Sequence, residues 1–246
     1  MASHPPIEAY DELDSTNAEA RRRAEVGEAG PVWITAAVQT AGRGRRGREW
    51  STARGNLAAT LLTVTDRPPA EAAQLSFVAA LAACDLADTC LGAGVARLKW
   101  PNDVLVHGKK AVGILVESGA RPDGRLWIAV GVGVNLAHAP QDVDRPATAF
   151  AGYMSGPPPE PGAALTVLAG AFERWRHAWK TQGFAAISAG WTERATGLGQ
   201  RCEARLPHRT VSGIAEGLDS DGALRLRLDD GALERITAGD VFFGGV

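Results

Sequence analysis

The chain has 246 residues, of which 45% are hydrophobic and 22% charged, and its formal net charge is -2. That length and apolar content exclude a disordered polypeptide and allow a substantial core, while near-neutrality disfavours a globally basic nucleic-acid binder. No run of about 18 apolar residues stands out as a bilayer span, so no membrane partner is expected.

Met1 to Asp11 lack the basic flank and apolar stretch of a secretory signal. The cysteines, Cys84, Cys90 and Cys202, have no paired metal spacing and read as free thiols in apolar surroundings. Both features predict a reducing, cytoplasmic setting.

In chain order, Thr16 and Glu19 have capping-box spacing, predicting a helix that ends near Gly27 with Ser15 and Thr16 at its start. Val32 to Val38 and Leu57 to Val64 read as strands. Pro68 opens an Ala/Leu-rich helix that closes at Gly92. Ala96 to Trp100, Val104 to Val106, Lys110 to Glu117 and Arg125 to Leu136 read as a meander broken by Pro-Asn-Asp and Pro-Asp-Gly turns. The proline-rich connector Gly156 to Gly162 leads into helices at about Ala163 to Gln182 and onward to Glu193. From Gly197 short β runs, Arg201 to Leu206, Val211 to Glu216, Leu224 to Leu228 and Glu234 to Thr237, predict a small separate β barrel. The expected domains are therefore 1–196 and 197–246.

The loop between the first two of these strands, Gly42-Arg43-Gly44-Arg45-Arg46-Gly47-Arg48, formally satisfies G-x-G-x-x-G. Its sequel to Asn56 is rich in turn formers and lacks the periodicity of a crossover helix, so a dinucleotide fold is rejected on context. Glycines that let backbone N–H groups approach a phosphate, interleaved with guanidiniums, suit a triphosphate and its pyrophosphate product. A solvated basic loop or a nucleic-acid patch is the competing reading.

Lys99-Trp100-Pro101-Asn102-Asp103 sets a cation, an indole, a rigid turn and a carboxylate at a strand end, where a plain structural turn is the alternative. In the next strand Lys110 shares parity with Val112, Ile114 and Val116, and Lys109 points the opposite way, so one lysine approaches the apolar face. It either holds an acyl carboxylate or α-phosphate or reaches out to solvent. Gly131, Gly133 and Asn135 share one face of their strand, and interior glycines mark the close approach of a ligand or another backbone, or a packing bulge.

Taken in order, Ser15-Thr16-Asn17, Gln39-Thr40 with the glycine-arginine loop and Trp50, Lys99 to Asp103, Lys110 with Gly113 to Glu117, and Gly131 to Asn135 resemble the biotin protein ligases. The resemblance runs from about Tyr10 to the C-terminus, where Gly213 to Ala215 and Gly239 to Val241 are similar to the family's SH3-like barrel. It implies an α+β fold, a mixed β-sheet flanked by helices plus that small barrel. It also implies ATP-dependent formation of biotinyl-5'-AMP and transfer of biotin to a lysine of the biotin carboxyl carrier protein domain of acetyl-CoA carboxylase or a related carboxylase.

By matched position, the resemblance assigns biotin binding to Ser15, Thr16, Asn17, Gln39, Gly42, Arg43, Gly113, Gly131 and Gly133. It assigns the nucleotide to Arg45, Arg46, Arg48, Trp50, Lys99, Asn102, Lys110 and Asn135, with Trp50 stacked on adenine. Lys110, Arg45 and Asp103 are the expected catalytic groups, the first two stabilising phosphate charge and Asp103 orienting the carrier lysine. Mg2+ is expected with ATP, and the sequence names no ligands for it.

About nine residues precede the matched region. The expectation is accordingly the monofunctional type, without the N-terminal DNA-binding domain and without a nucleic-acid partner; monomer and homodimer both stay open. A lipoate-protein ligase and a non-catalytic, biotin-sensing nucleic-acid-binding regulator are the alternative readings.

Overall fold

The computed structural model describes residues 4–141 and 146–244. Met1 to Ser3, part of the N-terminal stretch considered above, lie outside the described residues.

The chain opens with β1 (Ile7–Leu13), α1 (Thr16–Glu25) and β2 (Val32–Gln39), a unit whose two strands pair in parallel. β1 has no strand signature in the sequence, because it carries Glu8, Asp11 and Glu12 in place of an apolar run, and it pairs only with β2 at the rim of the sheet. Charged edge strands are a common guard against unwanted strand pairing. The helix start also shifts by one residue. Ser15 is the cap, accepting a hydrogen bond from the Ala18 N–H at 3.4 Å, and Glu19 turns to Arg22 and Arg23, so no Thr16–Glu19 capping box forms.

Next come β3 (Leu57–Thr65), a four-residue α2 (Pro69–Ala72) and α3 (Leu75–Leu91), followed by β4 (Ala96–Lys99), β5 (Asp103–Val106), β6 (Lys109–Ala120) and β7 (Leu126–Val134). They complete a seven-stranded mixed sheet of order β1-β2-β3-β7-β6-β5-β4, in which the expected meander is the antiparallel run from β7 to β4. Helices α4 (Pro161–Gln182) and α5 (Phe184–Arg194) pack with α3 on one face of this sheet. Trp33 meets Phe172 of α4 edge-on there at 5.7 Å.

Residues Pro69–Leu91 are, against expectation, long and apolar enough to cross a membrane by length and composition, and 67% of that window is buried. The reason is position. A helix enclosed by a sheet on one side and two helices on the other needs apolar residues on nearly every face. Burial also pushes the Cys84 thiol of α3 and the Cys202 thiol up to about 11.

The second sheet is antiparallel, of order β11-β10-β9-β8-β12, built from β8 (Arg201–Arg205), β9 (Thr210–Leu218), β10 (Leu224–Arg227), β11 (Leu233–Ile236) and β12 (Asp240–Phe243). It forms the small SH3-like unit. β12 has no counterpart in the sequence reading, being four residues flanked by Gly239 and Gly244. The unit packs on the large sheet, where the Trp100 indole N–H donates to the Gly222 carbonyl at 3.1 Å.

Candidate active site

On the second face of the large sheet, α1 packs in a small cluster with Val32, Ile34, Leu62, Trp127 and Ala129. Beyond this patch the strands carry small residues in register. Ala58, Gly133, Gly113 and Asp103 line up across β3, β7, β6 and β5, and Thr60, Gly131 and Leu115 form the adjacent row. With so little side-chain volume the face stays open as a cleft between α1, the arginine loop and the C-terminal unit.

The glycines admit side chains. A methyl group on Gly133 would lie 2.3 Å from the Trp50 indole and one on Gly113 would lie 2.7 Å from it; a methyl on Gly131 would fall 2.2 Å from Asn17 Oδ1. The close approach expected of Gly131 and Gly133 is thus made chiefly by the side chains of Asn17 and Trp50, with the Leu115 carbonyl also near Gly131.

One end of the cleft is a chain of buried polar groups. Gln39 Oε1 accepts from the Thr16 N–H at 2.8 Å, so a side chain satisfies one of the orphan donors at the α1 terminus, while Gln39 Nε2 donates to Thr52 Oγ1 at 2.9 Å. Thr60 Oγ1 lies 2.8 Å from Thr16 Oγ1 and 2.7 Å from Asn17 Oδ1. Asn17 Nδ2 donates to Glu117 at 2.7 Å, which fixes its amide with the oxygen toward Thr60. The Thr60 proton therefore goes to Asn17, leaving a Thr60 lone pair for the Thr16 hydroxyl.

The arginine loop extends β2 as a narrow hairpin. The Trp50 N–H donates to the Gly42 carbonyl at 2.9 Å, the Gly44 N–H donates to the Arg48 carbonyl at 2.7 Å, and no helix follows. A short 3-10 turn at Arg45–Gly47 forms the tip, with Arg46 at φ 57° and Gly47 at φ 72°. Arg45 donates to Asn102 Oδ1 at 3.1 Å and to the Gly239 carbonyl at 3.3 Å. Burial holds its guanidinium below the ordinary value, Arg46 and Arg48 act in the same sense, and Asp240 opposes them. Arg46 and Arg48 turn instead to the Asp240 carboxylate, at 3.4 and 2.5 Å.

Lys110 Nζ sits 2.6 Å from Asp103 Oδ1 and 5.6 Å from the centre of the Trp50 ring. The parity argument put this lysine with Val112, Ile114 and Val116 on the apolar face. The structure puts it on the opposite one. Register between β5 and β6 slips by one residue, Val104 facing Val112 but Leu105 facing Lys110, so Ala111 is extra. A one-residue bulge inverts the alternation on one side of it. Lys110 therefore joins Gly113 on the cleft face, and Lys109 is exposed.

Of the expected biotin residues, Ser15, Thr16, Asn17, Gln39, Arg43, Gly113, Gly131 and Gly133 line this cleft, and Gly42 lies behind them as a backbone partner of Trp50. Of the nucleotide and catalytic residues, Arg45, Arg48, Trp50, Asn102, Asp103 and Lys110 line it. Three others do not. Arg46 is at the loop tip against Asp240, and Lys99 is at the domain junction with its ammonium 5.6 Å from the Phe242 ring centre. Asn135 lies just past β7, where its N–H meets the Ala111 carbonyl and its Nδ2 donates to the Thr148 carbonyl at 3.0 Å. Its Oδ1 is buried and has no hydrogen-bond partner among the described residues.

Thr60, Glu117 and Asp240 have no site role in the sequence analysis, although Glu117 and Asp240 fall inside the motifs quoted there. Thr60 did carry a signal, as a hydroxyl within the apolar run Leu57 to Val64. Asp240 carried only its place in the barrel motif Gly239 to Val241, which gives no hint that it reaches the arginine loop.

Two family models match the chain: the biotin/lipoate A/B protein ligase family over residues 13–135, and the biotin protein ligase C-terminal domain over residues 197–244. A biotin--[acetyl-CoA-carboxylase] ligase of Paracoccus denitrificans is 46% identical over 94% of this chain and 98% of its own length. The chain belongs to the biotin protein ligase family. The bifunctional ligase/repressor BirA of Bacillus subtilis is 31% identical over 96% of this chain and 73% of its own length.

Among solved members of this family, the enzyme of Aquifex aeolicus in complex with biotin and ATP shares the fold, with a TM-score of 0.80 at 24% identity over 97% of this chain and 98% of that one. The Leishmania major biotin protein ligase in complex with biotinyl-5-AMP superposes with a TM-score of 0.66 at 25% identity, over 96% of this chain and all of that one.

Proposed function

We infer that this chain is a biotin protein ligase, which joins biotin to ATP as biotinyl-5'-AMP and passes the biotinyl group to a lysine of the biotin carboxyl carrier domain of a carboxylase such as acetyl-CoA carboxylase. One observation carries the reading: a single cleft joins a buried polar end, the Lys110–Asp103 pair and an arginine-glycine loop. The reading divides the chain at 196/197 and places it in the cytoplasm.

The polar end favours biotin over lipoate. Thr16, Asn17 and Thr60 are at most 4% exposed, and a ureido group with two N–H donors and one carbonyl can satisfy them. A dithiolane ring has neither the donors nor the carbonyl to join this polar chain, so it forgoes the hydrogen bonds that a ureido group can make with it. With equimolar biotin and lipoate we expect only biotin to appear on the carrier; comparable lipoylation, read by intact mass, would overturn this specificity.

A carboxylate is anionic and a poor acyl donor, so it must first become a mixed anhydride with AMP. Lys110 and Arg45 supply positive charge where the α-phosphate and pyrophosphate develop it, and holding both reactants on one floor supplies orientation. Asn135, whose amide and N–H hold the Thr148 and Ala111 carbonyls, supports the nucleotide end of the cleft from behind. Mg2+ neutralises triphosphate charge when bound. Of the carboxylates lining the cleft, Asp103 and Asp240 already hold cations and Glu49 is an exposed loop residue, so the donor set fits a magnesium that arrives on ATP rather than in a protein cage. In the second step the carrier amine attacks the anhydride carbonyl, AMP leaves, and Asp103 orients the amine.

The loop also shields the adenylate from water. Arg45 bridges it to Asn102 and to the C-terminal unit, so Arg45→Gly should release adenylate and raise biotinylation of a bystander protein several-fold. Bystander labelling equal to wild type, read by streptavidin blot, would count against the shield.

A further inference from the structure

Charge is divided unevenly in the arginine loop. Arg45 donates to the neutral oxygens of Asn102 and Gly239, so its cation stays available to an incoming phosphate. Arg46 and Arg48 converge on one carboxylate, with Arg48 gripping both Asp240 oxygens, at 2.5 and 3.3 Å. Asp240 is buried at the head of β12, a rigid strand paired with β8, and it lines the cleft. The contact links residues 192 positions apart and spans the junction of the two units.

We propose that Asp240 is a positioning residue, which fastens the arginine loop to the C-terminal unit and so sets how long the adenylate is kept from water and bystander amines. Two-point pairing of a guanidinium with a carboxylate fixes direction as well as distance, which suits a clasp. Three guanidiniums within four residues repel one another, and the Asp240 carboxylate offsets that repulsion at the tip. The clasp assigns Arg46 and Arg48 to holding the loop and leaves Arg45 to the triphosphate. Its consequence for adenylate retention rests on the ligase reading above; the fastening itself does not.

The test compares full-length wild type with Asp240→Asn and Asp240→Glu. Hydrogen exchange of loop residues 42–48, without substrates, should speed up about tenfold in Asp240→Asn, equivalent to about 1.4 kcal/mol, and return toward wild type in Asp240→Glu. With biotin, ATP and carrier, the ratio of bystander to carrier biotinylation should rise by a similar factor in Asp240→Asn. Because Arg48 is half exposed, raising salt should move wild type in the same direction. Unchanged loop exchange in Asp240→Asn at an unchanged melting temperature overturns the proposal. So does a uniform rise in exchange across the chain that Asp240→Glu does not restore, which would mark a purely structural acid. If Asp240→Asn does not fold, Arg48→Gln reads the same contact from the loop side and decides by the same criterion. Absence of biotin-dependent pyrophosphate release from wild type would sink the ligase reading and leave the exchange result standing.

Discussion

Lys110→Ala is expected to lower biotin- and ATP-dependent pyrophosphate release by roughly 100- to 1,000-fold, about 2.7–4 kcal/mol, the scale for removing one preorganised partner of developing charge. Geometry supports so large an effect. The ammonium is held 2.6 Å from Asp103 and above the Trp50 ring, so its position costs no reorganisation when charge builds on the α-phosphate. Removing it also leaves the buried Asp103 carboxylate without that cation, and breaking one side of a buried pair is destabilising by about 3–5 kcal/mol at most. Melting temperature should therefore be measured beside activity, and Lys110→Arg should recover stability better than rate. Lys109→Ala is the control. Lys109 is exposed, and its loss should change the release rate less than twofold. If Lys110→Ala releases pyrophosphate at a near-normal rate, the charge-stabilising role lies elsewhere in the cleft.

Gly131→Ala and Gly133→Ala should separate the two ends of the cleft. At Gly131 the added methyl meets Asn17 Oδ1 at 2.2 Å and the Leu115 carbonyl at 3.2 Å. The second contact is backbone and cannot swing aside, so Asn17 must leave its bonds to Thr60 and Glu117. Loss of two hydrogen bonds at about 0.5–1.5 kcal/mol each predicts a roughly 10- to 100-fold loss of biotin affinity, and overpacking of about 1–3 kcal/mol adds a lower melting temperature. At Gly133 the methyl meets the Trp50 indole at 2.3 Å, so that substitution should weaken ATP binding more than biotin binding. Calorimetric titration of each variant with biotin and with ATP decides the matter. Wild-type biotin affinity in Gly131→Ala would remove Asn17 and Thr60 from the biotin end.

Local sequence carried the long, strongly patterned elements. The Ala/Leu-rich helix, the meander and the glycine-arginine loop were all legible, as was the failure of that loop to be a dinucleotide fingerprint, because each depends on neighbours within a dozen residues. Lys110 illustrates the limit. Its parity was counted correctly, yet a single extra residue at Ala111 inverted the count, and a bulge is decided by how β6 pairs with β5. β12 illustrates another. Four residues between glycines have no periodicity to read, and only docking against β8 makes them a strand.

By itself, then, the sequence determined which chemical groups are available and in what order: the Ser-Thr-Asn helix start, the arginine loop, the Lys-Trp-Pro-Asn-Asp turn, the lysine strand and the paired glycines. Tertiary structure alone decided which of them meet. It seated Trp50 and Asn17 on the glycines, withdrew Lys99 to the domain junction and brought Thr60 into the polar chain. It also delivered Asp240 to the arginine loop from 192 residues away. The reason is physical. Helix starts, turns and alternation are set by interactions between near neighbours in the chain, whereas strand register and domain docking depend on packing between distant segments, where one residue of slip changes which side chains share a face.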